Sequence, residues 1–203
     1  ADSKFLEPES LLHMVRALTW AAGPAGAAGA GVAASAAAAS GEENGGINGG
    51  NNVVAGGGVM EGTVSAEDED TALFCLDILI AVTLRNRDRI RLLLPHVYGY
   101  LRTIVQSAQV PTPLAERAIF ELLRICQRLL PYKEELGEEL LDSLRLMFAL
   151  EPAVADAFIE RIARELCVLV QVAAGYIKGA KGWDTICKLL MASARHPDAA
   201  GHG

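Results

Sequence analysis

Apolar residues recur every three or four positions through most of the second half of the chain, most clearly in FELLRICQRLLPYKEELGEELL, residues 120–141. That spacing lines one face of an α-helix, whereas a half-buried strand alternates at every second residue. Ala118, Leu122, Ile125, Cys126 and Leu129 form one stripe, PYKEE turns the chain, and Leu136, Leu140, Leu144, Met147 and Phe148 form the next. After Pro152 a third stripe runs through Val154, Phe158, Ile162, Leu166 and Leu169, on a helix expected to reach about Ile177. GAKG at 179–182 should break it, and a last helix is expected from Trp183 to about Ala194, before Pro197.

Upstream, a first helix is read in ESLLHMVRALTWAAG, with Leu11, Met14, Val15 and Leu18 on one face and Trp20 off it. Residues 23–65 are low in complexity and rich in Gly and Ala, which offer little side chain to bury and make backbone ordering costly. This stretch is expected to be a disordered insert. Order should resume at AEDEDTALFCLDILIAVTLRN, where four acids at the start complement the positive end of a helix dipole. Residues 72–84 are apolar nearly all round apart from Asp77 and Thr83, so this helix needs cover on several sides. Asp77 is expected to pair with an Arg of a neighbouring helix. Asn86 can end the helix. Pro95 should kink or restart the next one, and Thr112-Pro113 reads as a cap followed by proline at the first helical position.

The pattern therefore predicts an all-α domain with almost no strand. Successive helices joined by short Pro or Gly turns read as antiparallel pairs with more apolar surface than each pair covers alone, which is how a HEAT/armadillo-like α-solenoid is built. A compact irregular bundle is the alternative. The expected organisation is a first helix over 1–22, the insert over 23–65 and a HEAT-like helical domain over 66–200.

Composition refines this picture in two respects. The net charge of −7 is uneven: residues 1–70 hold ten acids and two bases, leaving the remainder near neutral at +1. Bulk charge therefore points to no nucleic-acid partner. The four cysteines, Cys75, Cys126, Cys167 and Cys187, lie far apart, each inside an apolar helical pattern, and are expected to be buried free thiols. The Ala/Gly stretch is too weakly apolar to span a bilayer, and the abrupt ends suggest a piece of a longer protein.

No nucleophile motif, phosphate loop or metal-ligand spacing is present, so no catalytic, cofactor-binding or metal residue is named and no cofactor is expected. Glu134, Glu135, Glu138, Glu139 and Asp142 read as the solvated start of an amphipathic helix. The sharper feature is RNRDRIR at a helix junction. Arg85 has an explanation as a helix-end cation. Arg87, Arg89 and Arg91 are candidates to meet anionic lipid or an acidic protein surface. A second candidate contact is Trp183 with Lys178 and Lys181.

Four segments, ESLLHMVRALTWAAG, EDEDTALFCLDILIAVTLRNRDRI, AIFELLRICQRLLPYKEELGEELLDSL and GWDTICKLLMASARHPDA, carry a resemblance. They are similar to the large Golgi-type guanine-nucleotide exchange factors for ARF GTPases, the GNOM and GBF group, over residues 9–22 and about 66–200. The insert departs from the family. Within those proteins the resemblance falls downstream of the Sec-seven catalytic domain. It implies a HEAT-like regulatory and membrane-targeting segment with no catalytic residue of its own, in a cytoplasmic protein held peripherally on Golgi or endosomal membranes. The implied partners are an ARF-type GTPase through the parent protein, and anionic membrane lipids or other segments of the parent. The alternative is a free-standing helical scaffold unrelated to ARF.

Overall fold

The structure is a computed structural model that describes residues 3–23 and 66–194. The expected disordered insert lies outside the described residues. Every element among those residues is helical: α1 (Pro8–Ala21), α2 (Ala66–Arg85), α3 (Ile90–Ser107), α4 (Pro113–Leu129), α5 (Gly137–Ser143), α6 (Pro152–Ala173) and α7 (Ala180–Ala194). Short 3₁₀ turns occupy Ser3–Phe5, Arg87–Arg89, Glu134–Leu136, Leu144–Ala149 and Ala174–Tyr176.

Local chemistry sets several of these boundaries. The Thr112 hydroxyl accepts from the Ala115 amide at 3.1 Å and Pro113 opens α4, so one unpaired amide is satisfied and another is absent. Acids Glu67, Asp68 and Glu69 fill the first turn of α2. Pro95 does not restart its helix: α3 runs through it from Ile90. Proline there forfeits one hydrogen bond, and because Pro95 is exposed, water can reach the freed carbonyl.

Packing joins the helices in two interleaved series. α2 lies against α4 and α4 against α6; α1 lies against α3 and α5 against α7; α1 on α2, α3 on α4 and α6 on α7 connect the series. One continuous apolar cluster fills the space between them, from Leu11 and Val15 through Leu76, Leu101, Leu122, Leu144 and Leu166 to Leu189. As expected, α2 is covered on several sides, by α1, α3 and α4, yet Phe74 on its open stripe remains 65% exposed.

Three expectations need correction. The stripe assigned to 136–148 is not one regular helix: α5 tightens into a 3₁₀ stretch at Leu144, which rotates Phe148 to the surface while Leu144 and Met147 stay buried. The last helix starts at Ala180, so its first turn includes Gly182. A Cβ there would stand 2.5 Å from Leu141 Cδ1, and glycine's lack of one lets α7 close on α5. Of the four free thiols, Cys75 and Cys126 are buried but Cys167 and Cys187 are exposed, because their positions on α6 and α7 face away from the helices packed there.

Candidate functional site

The arginines of the α2–α3 turn separate into different roles once their partners are assigned. Arg89 is committed to the fold. Its guanidinium donates to the carbonyls of Leu6, Ser3 (3.0 Å) and Lys4 (2.9 Å) and to Asn86 Oδ1 (2.6 Å). Asn86 in turn donates to Ser3 Oγ and to the Val82 carbonyl, each at 2.8 Å, in a buried setting. Arginine's fork of five donors suits this position, because it gathers carbonyls that end a 3₁₀ turn and so fastens residues 3–6 to the α2–α3 junction.

Arg87 turns outward. Its guanidinium lies over the Tyr132 ring, 4.0 Å from the centroid, and both side chains are exposed. This contact brings the α2–α3 turn beside the turn that follows α4. Arg91 in the first turn of α3 is also exposed and makes no ion pair among the described residues. Arg85 and Arg128 stand in the last turns of α2 and α4, the helices that these two turns follow, and Lys133 comes directly after Tyr132.

The second candidate group is largely spent internally. Lys178 pairs with Glu134, and Lys181 with Asp142 at 2.8 Å. The Trp183 indole N–H donates to the Ile177 carbonyl at 3.0 Å, and its ring packs against the core. These contacts fasten α7 to α5 and to the turn before it. They also border an open cleft of about 450 Å³, lined by Glu134, Glu135, Glu138, Leu141, Tyr176 and Ile177 among others.

Asp77 meets the expectation placed on it, pairing with Arg117 of α4 at 3.1 Å; both are about half exposed, so the pair lies on the surface. Further along the same seam Arg161 of α6 pairs with Glu116 and covers the Phe120 ring at 3.9 Å. Phe120 meets Phe158 edge to face at 6.2 Å, and Gln127 Nε2 donates to Glu165. Of the charged residues in this seam the sequence singled out Asp77 alone, as a carboxylate in an apolar run; Arg117, Glu116 and Arg161 carry no local signal, since each meets its partner on another helix.

Burial shifts ionisation in the interior and at the α1–α3 contact. Burial pushes the Cys126 thiol up to about 12; it donates to the Leu140 carbonyl at 3.3 Å. Burial, with a smaller contribution from Cys75, pushes Tyr100 up to about 12, and its buried hydroxyl has no hydrogen-bond partner among the described residues. Burial and then the neighbouring Arg16 charge lower His96. Among the described residues no His, Cys, Asp and Glu group could hold a metal ion, and no helix is long and apolar enough to cross a membrane.

The chain is 47% identical over 202 residues to the ARF guanine-nucleotide exchange factor GNOM of Arabidopsis thaliana, covering 100% of this chain and 12% of GNOM. It is 52% identical over 139 residues to the ARF guanine-nucleotide exchange factor GNL1 of the same plant, covering 68% of this chain and 10% of GNL1. It is 33% identical over 132 residues to a Caenorhabditis elegans homolog of the Golgi-specific brefeldin A-resistance guanine nucleotide exchange factor 1, covering 64% of this chain and 7% of that protein. The chain thus spans about a tenth of the length of these relatives. No family model matches it, and no solved structure does.

Proposed function

Given that the chain belongs to the family of large ARF guanine-nucleotide exchange factors that includes GNOM and GNL1, we propose that it is a non-catalytic segment that regulates and targets such a factor in vesicle traffic. In this reading the exchange reaction on an ARF GTPase belongs to a Sec-seven domain elsewhere in the parent, and this segment contributes surfaces. The parent acts peripherally on Golgi or endosomal membranes, in keeping with the Golgi-specific name of one relative. The observation that carries the proposal is the 47% identity to GNOM along the entire chain.

The alternation of contacts, α2 on α4 on α6 beside α1 on α3 and α5 on α7, supports a HEAT-like arrangement of helix pairs over 66–200. Residues 1–22 supply the first helix and 23–65 an insertion. Of the residues singled out for lipid or partner contact, Arg87 and Arg91 keep outward guanidiniums, while Arg89, Lys178, Lys181 and Trp183 support the fold that presents them.

The test is a full-length exchange factor with and without this segment. Deletion should leave ARF nucleotide release in solution intact while lowering ARF activation on membranes. The isolated chain at micromolar concentration should not accelerate release from ARF. Clear acceleration by the isolated chain, or equal loss of the solution and membrane activities on deletion, rejects the reading.

A further inference from the structure

The contact of Arg87 with the exposed Tyr132 joins the turns after α2 and α4, whose chain also carries Arg85 and Arg91 on either side of the first turn and Arg128 and Lys133 on either side of the second; none of these five cations has an acidic partner among the described residues. Elsewhere the cations of α4, α6 and α7 are mostly neutralised, as in Arg117–Asp77, Arg124–Glu121, Arg161–Glu116 and Lys188–Asp184. The cluster survives in the free protein because Arg85 and Arg128 stand at two helix carboxyl ends, whose dipoles offset part of the like charge. Asp88 is the one carboxylate inside the turn.

Directly after Lys133 the surface changes sign, with Glu134, Glu135, Glu138 and Glu139 all exposed. That boundary selects the partner. An anionic bilayer reaching Lys133 would also meet the exposed carboxylates that directly follow it in the chain, and like-charge contact offsets the attraction. A narrow ligand can follow the cations alone. Arg and Tyr together are also the residue types in which protein-contact energy concentrates, because a guanidinium can pair two oxygens while a ring supplies rigid apolar area.

We propose that the joined turns of α2 and α4 are a docking surface for an acidic peptide segment, its carboxylates paired by Arg87, Arg91 and Arg128 and an apolar side chain laid beside Tyr132. This rests on the reading of the chain as a contact-making segment and names the partner of its most exposed cations. The peptide is not the chain's own acidic stretch at 67–70. Those residues open α2 and Arg85 closes it, so they lie about 22 to 27 Å apart along the helix.

Fluorescence anisotropy of a labelled peptide of alternating Glu and Asp around a central Phe, titrated with the full chain, tests it. Binding should weaken with salt, and R87Q/R91Q/R128Q should lower affinity about tenfold, as three exposed charge pairs imply. The variant R102Q/R164Q/K188Q removes equal charge elsewhere and should bind like the unmodified chain. Arg91 makes no ion pair within the described residues, so Arg91→Glu keeps the fold and should weaken binding by itself. Equal weakening by both triple variants, or none by R87Q/R91Q/R128Q, overturns the proposal. So does sedimentation of the chain with phosphatidylserine vesicles that is lost in R87Q/R91Q/R128Q without any peptide binding. Failure here with the deletion phenotype of the full-length factor preserved refutes the docking surface alone; failure of both refutes the underlying reading.

Discussion

The α2–α4–α6 seam and the turn end that caps it use the same residue types for different purposes. In the seam two arginines each meet a partner on the next helix: Arg117 with Asp77, and Arg161 with Glu116 and the Phe120 ring. At the turn end Arg87 stacks on Tyr132, and Arg91 has no ion-pair partner among the described residues. Between the two lies Arg89, which spends its donors on main-chain carbonyls and on Asn86. An arginine's role is therefore read from what faces it across the fold.

The seam's strength should come from the apolar layer beneath it. Leu122 is 2% exposed between the series of helices, and Leu122→Ala should cost about 2 to 5 kcal/mol in chemical denaturation. A loss below that range would place the seam's stability in its surface pairs instead.

Next in size is the contrast between neighbouring arginines. Arg89→Ala should cost about 1 to 3 kcal/mol, since several charge-assisted bonds vanish, and hydrogen exchange should rise at residues 3–6. Arg91→Ala should change stability by no more than about 0.5 kcal/mol. Similar losses from both would erase the distinction between a fold-holding and a partner-facing arginine.

Alkaline pH probes the interior under the seam without touching its surface. The folded Cys126 thiol ionises near 12 against an ordinary 9.0, so the fold favours the neutral form. Its contribution is complete below pH 9 and is lost as pH rises from 9 toward 12. Tyr100 acts in the same direction from pH 10 upward. Cys126→Ala should flatten the decline of stability between pH 9 and 12, read from urea midpoints at each pH; an unchanged slope would contradict its burial.

The smallest effect is expected from the visible pair. A double-mutant cycle on Asp77 and Arg117, both half exposed, should give a coupling of about 0.2 to 1 kcal/mol that shrinks with salt. A coupling several times larger would make the seam's ion pairs comparable to its core.

Helix positions were legible along the chain because a helical period, a Thr-Pro cap and glycine breaks are local signals: the Thr112 cap, the break near Gly179 and the buried faces of α4 and α6 all follow from residues a few positions apart. The Asp77 partner was legible as a type, an arginine on a neighbouring helix, because a carboxylate among apolar residues needs one. The resemblance to ARF exchange factors was carried by whole segments such as RICQRLLPYKE. Tertiary structure alone decided which cation serves which end. Arg89 finds its carbonyls about 83 to 86 positions away, Lys178 and Lys181 find carboxylates on the α5 side, and Arg87 finds a ring on the turn after α4. It also rotated Phe148 outward through a 3₁₀ stretch and exposed Cys167 and Cys187. A long charged side chain has no preferred partner until the fold brings one within reach, whereas an apolar stripe commits its face to burial wherever the helix docks.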